Sequence, residues 1–145
     1  MENEKTKVLF VCVSNSFRSQ IAEAILNHKY GDSFQAESAG YKSKDINPLA
    51  IQVMAEYGLD VSKNSTDRLM DFYKQGRKYE YVITVCSRSE EEDCPVFPGL
   101  VKRLSWGDFR DPDGFTGTED EKLVMARKLR DDIEKRIDEF ANSVK

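Results

Sequence analysis

The chain has 145 residues, 39% hydrophobic and 33% charged, with 22 Lys and Arg set against 26 Asp and Glu for a formal charge of −4. That length and balance suit one globular domain with a real core and exclude wholesale disorder. Bases interleave with acids, which argues against a nucleic-acid partner. No apolar run has the length of a membrane span, and residues 1–7 are too charged and too short for a secretory signal, so a cytoplasmic location is expected.

Residues 7–13 are a short valine-rich run of strand length. Residues 17–30 carry apolar side chains at Phe17, Ile21, Ala24, Ile25 and Leu26, a helical spacing that Gly31 stops. A second strand is predicted over 34–39, closed by Gly40. Asn47-Pro48 then opens a helix as N-cap and first-turn proline, with Ile51, Val53, Met54 and Ala55 inside and Gly58 beyond its end. A further helix is read over 67–75. "EYVITVC", 80–86, is the clearest strand, and 100–106 is a weaker one. Thr118-x-x-Glu121 is a capping box. It starts a long helix with the stripe Leu123, Ala126, Leu129, Ile133, Ile137, Phe140 and Val144.

No repeat, low-complexity tract or linker divides the chain, so 1–145 is read as a single domain. Strands alternating with helices imply an α/β fold in three layers, a mostly parallel four-stranded sheet flanked by helices. In such folds ligands bind beyond the carboxyl ends of the strands. Cys12 and Cys86 both fall at such ends.

Three cysteines, an odd number, do not form a disulfide framework. The single histidine, His28, and the wide spacing of Cys86 and Cys94 do not suit zinc. Cys12 instead opens "CVSNSFRS", residues 12–19, between a strand and a helix. Backbone N–H groups of Val13, Ser14, Asn15, Ser16, Phe17 and Arg18 in such a turn can curl into an anion nest, aided by the helix dipole. Arg18 adds a planar fork of donors matched to a tetrahedral oxyanion. The same field would stabilise a thiolate on Cys12, the nucleophilic form. Ser19 can donate its hydroxyl to that sulfur, and Asn15 can hold the loop through bonds to backbone. A nucleophile set in an oxyanion cradle points to chemistry on phosphate-like anions.

With C-x5-R-S directly after the first strand, the chain resembles the low-molecular-weight tyrosine phosphatase fold, and "NSFRSQIAEA" resembles its thioredoxin-coupled arsenate reductase branch. The resemblance continues through "SAG" (38–40), "NPLAIQVMAEYGLDVS" (47–62), "VITVC" (82–86), "CPVFPG" (94–99) and "DP" (111–112). It implies a relay. A thiolate–arsenic adduct on Cys12 is attacked by Cys86, arsenite leaves, and Cys94 then takes the disulfide to a loop that thioredoxin or a similar dithiol protein can reach. The polar, acidic segment 87–93 would rearrange between those steps. Asp111, before Pro112, matches the general acid. The resemblance also implies a potassium ion held by the oxygens of Asn15, Glu23, Ser38, Ser65 and Asp67. A monomer is expected.

Some positions depart from the family pattern. Ser14 stands where many members have glycine, which would cost energy were the backbone left-handed there. Phe17 replaces a cysteine or small residue, Ser105 precedes Trp106 where histidine is common, and Asp111 lies one residue further from Trp106 than usual. Asp113-Gly114 follows Asp-Pro where a phosphatase has an aromatic residue, which favours a small oxyanion. Two other readings stand beside the reductase: a phosphatase in which only Cys12, Arg18 and Asp111 are essential, and a redox-sensing or oxyanion-binding module.

Overall fold

A computed structural model describes residues 5–85, 101–106, 109 and 112–144. The elements, in chain order, are β1 (Thr6–Cys12), α1 (Arg18–Tyr30), β2 (Phe34–Gly40), α2 (Pro48–Ala55), α3 (Leu69–Lys74), β3 (Tyr81–Thr84), β4 (Lys102–Ser105), a 3-10 turn (Pro112–Gly114) and α4 (Glu119–Val144). The sheet has the order β2-β1-β3-β4 and every pairing is parallel. The three-layer α/β expectation therefore holds.

β1 is central and covered on both faces, which is why its sequence reads as an unbroken apolar run. Val8, Phe10 and Cys12 face one layer, built from α1, α2 and α4 with Ile21, Ile25, Val53, Ile133, Ile137 and Phe140. Leu9 and Val11 face the other, with Ala39, Leu69, Phe72, Tyr79 and Val82. β4, at one sheet edge, exposes all four of its residues, and its charged Lys102 and Arg103 discourage pairing with another chain. The other edge is protected differently. The Asn27 amide of α1 both donates to Ala36 O (3.1 Å) and accepts from Ala36 N (2.8 Å), covering outward groups of β2.

The helix ends follow their signals. Asn47 Oδ1 accepts from Leu49 N at 2.9 Å as the α2 cap. Thr118 and Glu121 close the capping box reciprocally, at 3.1 and 2.8 Å. The α4 stripe is buried at Ala126, Leu129, Ile133, Ile137 and Phe140 and half-buried at Leu123 and Val144. The helix read over 67–75 is shorter, Leu69–Lys74; ahead of it Ser65 O accepts from Gln20 of α1 and Asp67 N donates to Asn15 of the loop after β1.

Register brings the site together. Cys12 pairs with Gly40 at the carboxyl end of β1 and β2, and Val11 with Thr84 on β3. The loop after β1 thus sits at the end of the sheet where α/β folds bind ligands.

Candidate active site

The loop between β1 and α1 is fixed from outside through its carbonyls. Cys12 O, Val13 O, Ser14 O and Ser16 O accept from the backbone N–H groups of Tyr41, Lys42, Lys44 and Asn47, at 2.9 to 3.2 Å. Asn15 O accepts from Gln20 Nε2 (3.1 Å), and Phe17 O from Ile21 N (2.9 Å). A trans peptide sets each following N–H opposite its carbonyl, so the N–H groups of residues 13–18 turn away from these partners. One of them, Asn15 N, reaches Cys12 Sγ at 3.1 Å. Outward carbonyls and inward donors ahead of a helix N-terminus form an anion nest.

Asn15 has φ of 55°, and among the described residues it is the one non-glycine with positive φ. Ser14 is therefore not in the left-handed region, and its replacement of glycine carries no such cost. Asparagine tolerates that region best among non-glycine residues. Gly40 is needed for a different reason. A Cβ there would lie 2.6 to 2.9 Å from Lys42 O, Asn15 N and Val13 O, all rigid backbone, so only glycine lets β2 pass behind the loop.

The hydrogen bonds at the sulfur have a direction. Asn15 Nδ2 donates both of its hydrogens, to Ser19 Oγ (2.8 Å) and Ser38 Oγ (2.9 Å). Its Oδ1 accepts from Asp67 N (2.8 Å), which sets the orientation of the amide. The Ser19 hydroxyl, already an acceptor, has Cys12 Sγ as its remaining partner, 2.9 Å away. The sulfur thus receives both Ser19 O–H and Asn15 N–H. Cys12, Asn15, Arg18 and Ser19 are all buried, Asn15 and Ser19 completely.

Arg18 begins α1 and donates from Nη1 to Phe109 O at 3.1 Å. The Phe109 ring packs edge-on against Trp106, centroids 6.5 Å apart, and Trp106 in turn meets Phe10 at a tilt and Phe140 edge-on. The loop arginine is thereby tied to the segment that leads to Asp111. Phe17, unusual in size for its place, is buried in the same cluster as Cys12 and anchors the end of the loop.

The family model of the low molecular weight phosphotyrosine protein phosphatases matches residues 7–145. The chain belongs to that family.

Within the family it is similar to an arsenate reductase of Bacillus subtilis, 37% identical over 146 residues, covering the full length of both chains. Among solved structures it resembles an arsenate reductase in the phosphate binding state, with a TM-score of 0.74 and 26% identity over 97% of this chain and 99% of that one. It also resembles the thioredoxin-dependent arsenate reductase of Corynebacterium glutamicum, with a TM-score of 0.70 and 29% identity over 99% of this chain and 64% of that one. The resemblance seen in the sequence is to the right family. Among the described residues no helix is long and apolar enough to cross a membrane.

Of the site residues expected from sequence, Cys12, Asn15, Arg18 and Ser19 meet at one loop. Cys86, Cys94, segment 87–93 and Asp111 lie outside the described residues.

Of the five residues expected around potassium, four share a cleft and Asn15 lies outside its lining. Glu23, Ser38, Ser65 and Asp67 line one cleft of about 270 Å³ beside Asn64 and the Glu37–Arg77 pair. Ser38 Oγ donates to Glu23 Oε1 at 2.5 Å, and Ser65 Oγ to Asp67 Oδ2 at 2.7 Å. Burial pushes the Glu23 carboxyl up to about 7, Ser38 pulls it down, and the charges of Glu37 and Asp67 raise it further. Among the described residues no three His, Cys, Asp or Glu side chains converge as ligands for a metal. A mixed set of hydroxyls and carboxylates, with negative charge in excess, fits a hard alkali cation better than zinc.

Sequence reasoning missed three parts: Gln20, the Phe109 carbonyl and the close approach at Gly40. A backbone carbonyl carries no sequence signal. Gln20 stands beside Ser19 in a helix read only for its apolar stripe, and a buried polar residue there is invisible to periodicity.

Proposed function

We propose that this protein reduces arsenate to arsenite through Cys12, Cys86 and Cys94, with thioredoxin or a similar dithiol protein as the final reductant. The observation that carries the reading is the pairing of a donor-supported Cys12 sulfur with an inward-facing nest and Arg18, in a chain similar to arsenate reductases over its whole length.

The nest and Arg18 hold the oxyanion, and the Cys12 thiolate attacks arsenic. The departing oxygen takes a proton from Asp111 and leaves as water. The Cys86 thiolate then attacks the Cys12 sulfur. A Cys12–Cys86 bond forms, the sulfur–arsenic electron pair passes to arsenic, and arsenic(V) leaves as arsenite. Cys94 attacks Cys86 and frees Cys12 as thiolate, and the external dithiol reduces the Cys86–Cys94 bond. The cleft at Glu23, Ser38, Ser65 and Asp67 would hold potassium, with Asn15 as the link to the loop; the ion would supply charge compensation behind the nest.

The competing reading is hydrolysis of phosphate monoesters on the same loop, which the family name allows. Cys94→Ser separates the two. In the reductase it permits one turnover of arsenate per chain and stops the next, while aryl phosphate hydrolysis is unaffected. Unchanged multiple turnover of arsenate in Cys94→Ser contradicts the relay.

A further inference from the structure

Gln20 is a polar side chain bonded to the loop that the reaction does not use, and it is buried, with 1% exposed. It lies one residue past Ser19, so the helix turns it away from the sulfur and toward the irregular segment at 64–67. Its Nε2 donates both hydrogens, to Asn15 O (3.1 Å) and Ser65 O (2.9 Å), and its Oε1 accepts from Asn64 Nδ2 (3.2 Å).

The passage it grips holds the loop at other points too. Asp67 N donates to Asn15 Oδ1 at 2.8 Å, and Asp67 O accepts from Gly40 N at 2.9 Å. Asn15 is thus held at both ends, its side chain by Asp67 and its carbonyl by Gln20. The left-handed φ of 55° is uphill for any residue with a Cβ. The Asn15 N–H belongs to the preceding peptide, whose Ser14 carbonyl accepts from Lys44 N, and it is joined to the Gln20-held carbonyl through the left-handed torsions of Asn15 itself, so fixing that carbonyl limits the swing of the N–H away from Cys12 Sγ.

We infer that Gln20 is a positioning residue for the nucleophile: by binding the Asn15 and Ser65 carbonyls together it keeps the Asn15 N–H on the Cys12 sulfur. The inference rests on Cys12 being the nucleophile of the loop. Its readouts involve no arsenate, so failure of the reductase reading would leave it standing.

Gln20→Met keeps the length of the side chain and removes both donors. Three quantities are measured on folded, reduced protein: the rate of Cys12 alkylation by iodoacetamide from peptide mapping, the Kd for inorganic phosphate, and the proton shift of the Asn15 amide. Losing the donors slows Cys12 alkylation about tenfold, weakens phosphate, and moves the Asn15 resonance upfield as its bond to sulfur lengthens. Asn64→Ala, at an exposed position, releases only the Gln20 carbonyl oxygen and gives a smaller loss in the same direction, roughly twofold. A lower melting temperature with all three quantities unchanged would show that Gln20 merely fills space and would overturn the inference. Should Gln20→Met not fold, Asn64→Ala decides: an unchanged alkylation rate and Asn15 shift overturn it.

Discussion

The amide nitrogen of Asn15 lies 3.1 Å from the sulfur of Cys12, three residues back along the chain, and Asn15 itself is left-handed. The same residue donates to the hydroxyls of Ser19 and Ser38 and accepts from Asp67 N. Its backbone and side chain therefore make separable contributions. Asn15→Gly keeps the conformation and loses the side-chain bonds; Asn15→Ala loses those bonds and also bears the left-handed strain. Urea unfolding should place Asn15→Ala about 1 kcal/mol below Asn15→Gly, with both below wild type.

Ser19 is the second donor to the sulfur. Ser19→Ala removes its O–H from Cys12 and leaves Asn15 Nδ2 one acceptor short. A hydrogen bond to a charged group contributes about 1.5–3 kcal/mol, so Cys12 alkylation near neutral pH should slow by about tenfold to a hundredfold. Phosphate affinity should change far less, because the nest and Arg18 remain. Stopped-flow alkylation beside a phosphate titration checks the split.

Gly40 tests the scaffold. Gly40→Ala drives a methyl into Lys42 O, Asn15 N and Val13 O, none of which is the end of a flexible side chain. The expected cost is about 2–3 kcal/mol of stability, accompanied by loss of phosphate binding as the loop is displaced. Melting temperature and isothermal titration report the two effects.

The Glu23 carboxyl, pushed up to about 7 chiefly by burial, makes stability depend on pH. Its raised value means that folding favours the protonated form. The associated stability is fully present below about 4.5, the ordinary value, and is lost as pH rises to about 7. In a buffer whose only cation is bulky and organic, stability should fall by on the order of 2 kcal/mol across that window, and Glu23→Gln should remove the slope. Potassium chloride should flatten it in wild type by favouring the carboxylate, and should have no such effect in Glu23→Gln. Urea unfolding at several pH values makes the comparison.

Much of this arrangement could be read from residues. The unbroken apolar run before Cys12 announced a strand covered on both faces, and β1 is that strand. Asn47-Pro48 and Thr118-x-x-Glu121 carry their caps in local chemistry, and both caps form. Cys12, Arg18 and Ser19 were legible because nucleophile, oxyanion fork and hydroxyl sit close together in one loop. The parts that escaped depend on contacts between distant segments. Gln20 is fixed by residues 64 and 65, Arg18 by the backbone of Phe109, and Gly40 by the loop behind which it passes. Ser14 looked costly only while the left-handed position was unknown, and the structure puts that position at Asn15.

The most direct test of the account mixes fully reduced protein with excess arsenate, with no reductant present, and counts free thiols by alkylation and intact mass. The account predicts that two of the three thiols disappear, that the bridge maps to Cys86 and Cys94, and that arsenite appears in equal amount. Three thiols left free, with an aryl phosphate hydrolysed in a parallel sample, would contradict it and make this family member a phosphatase.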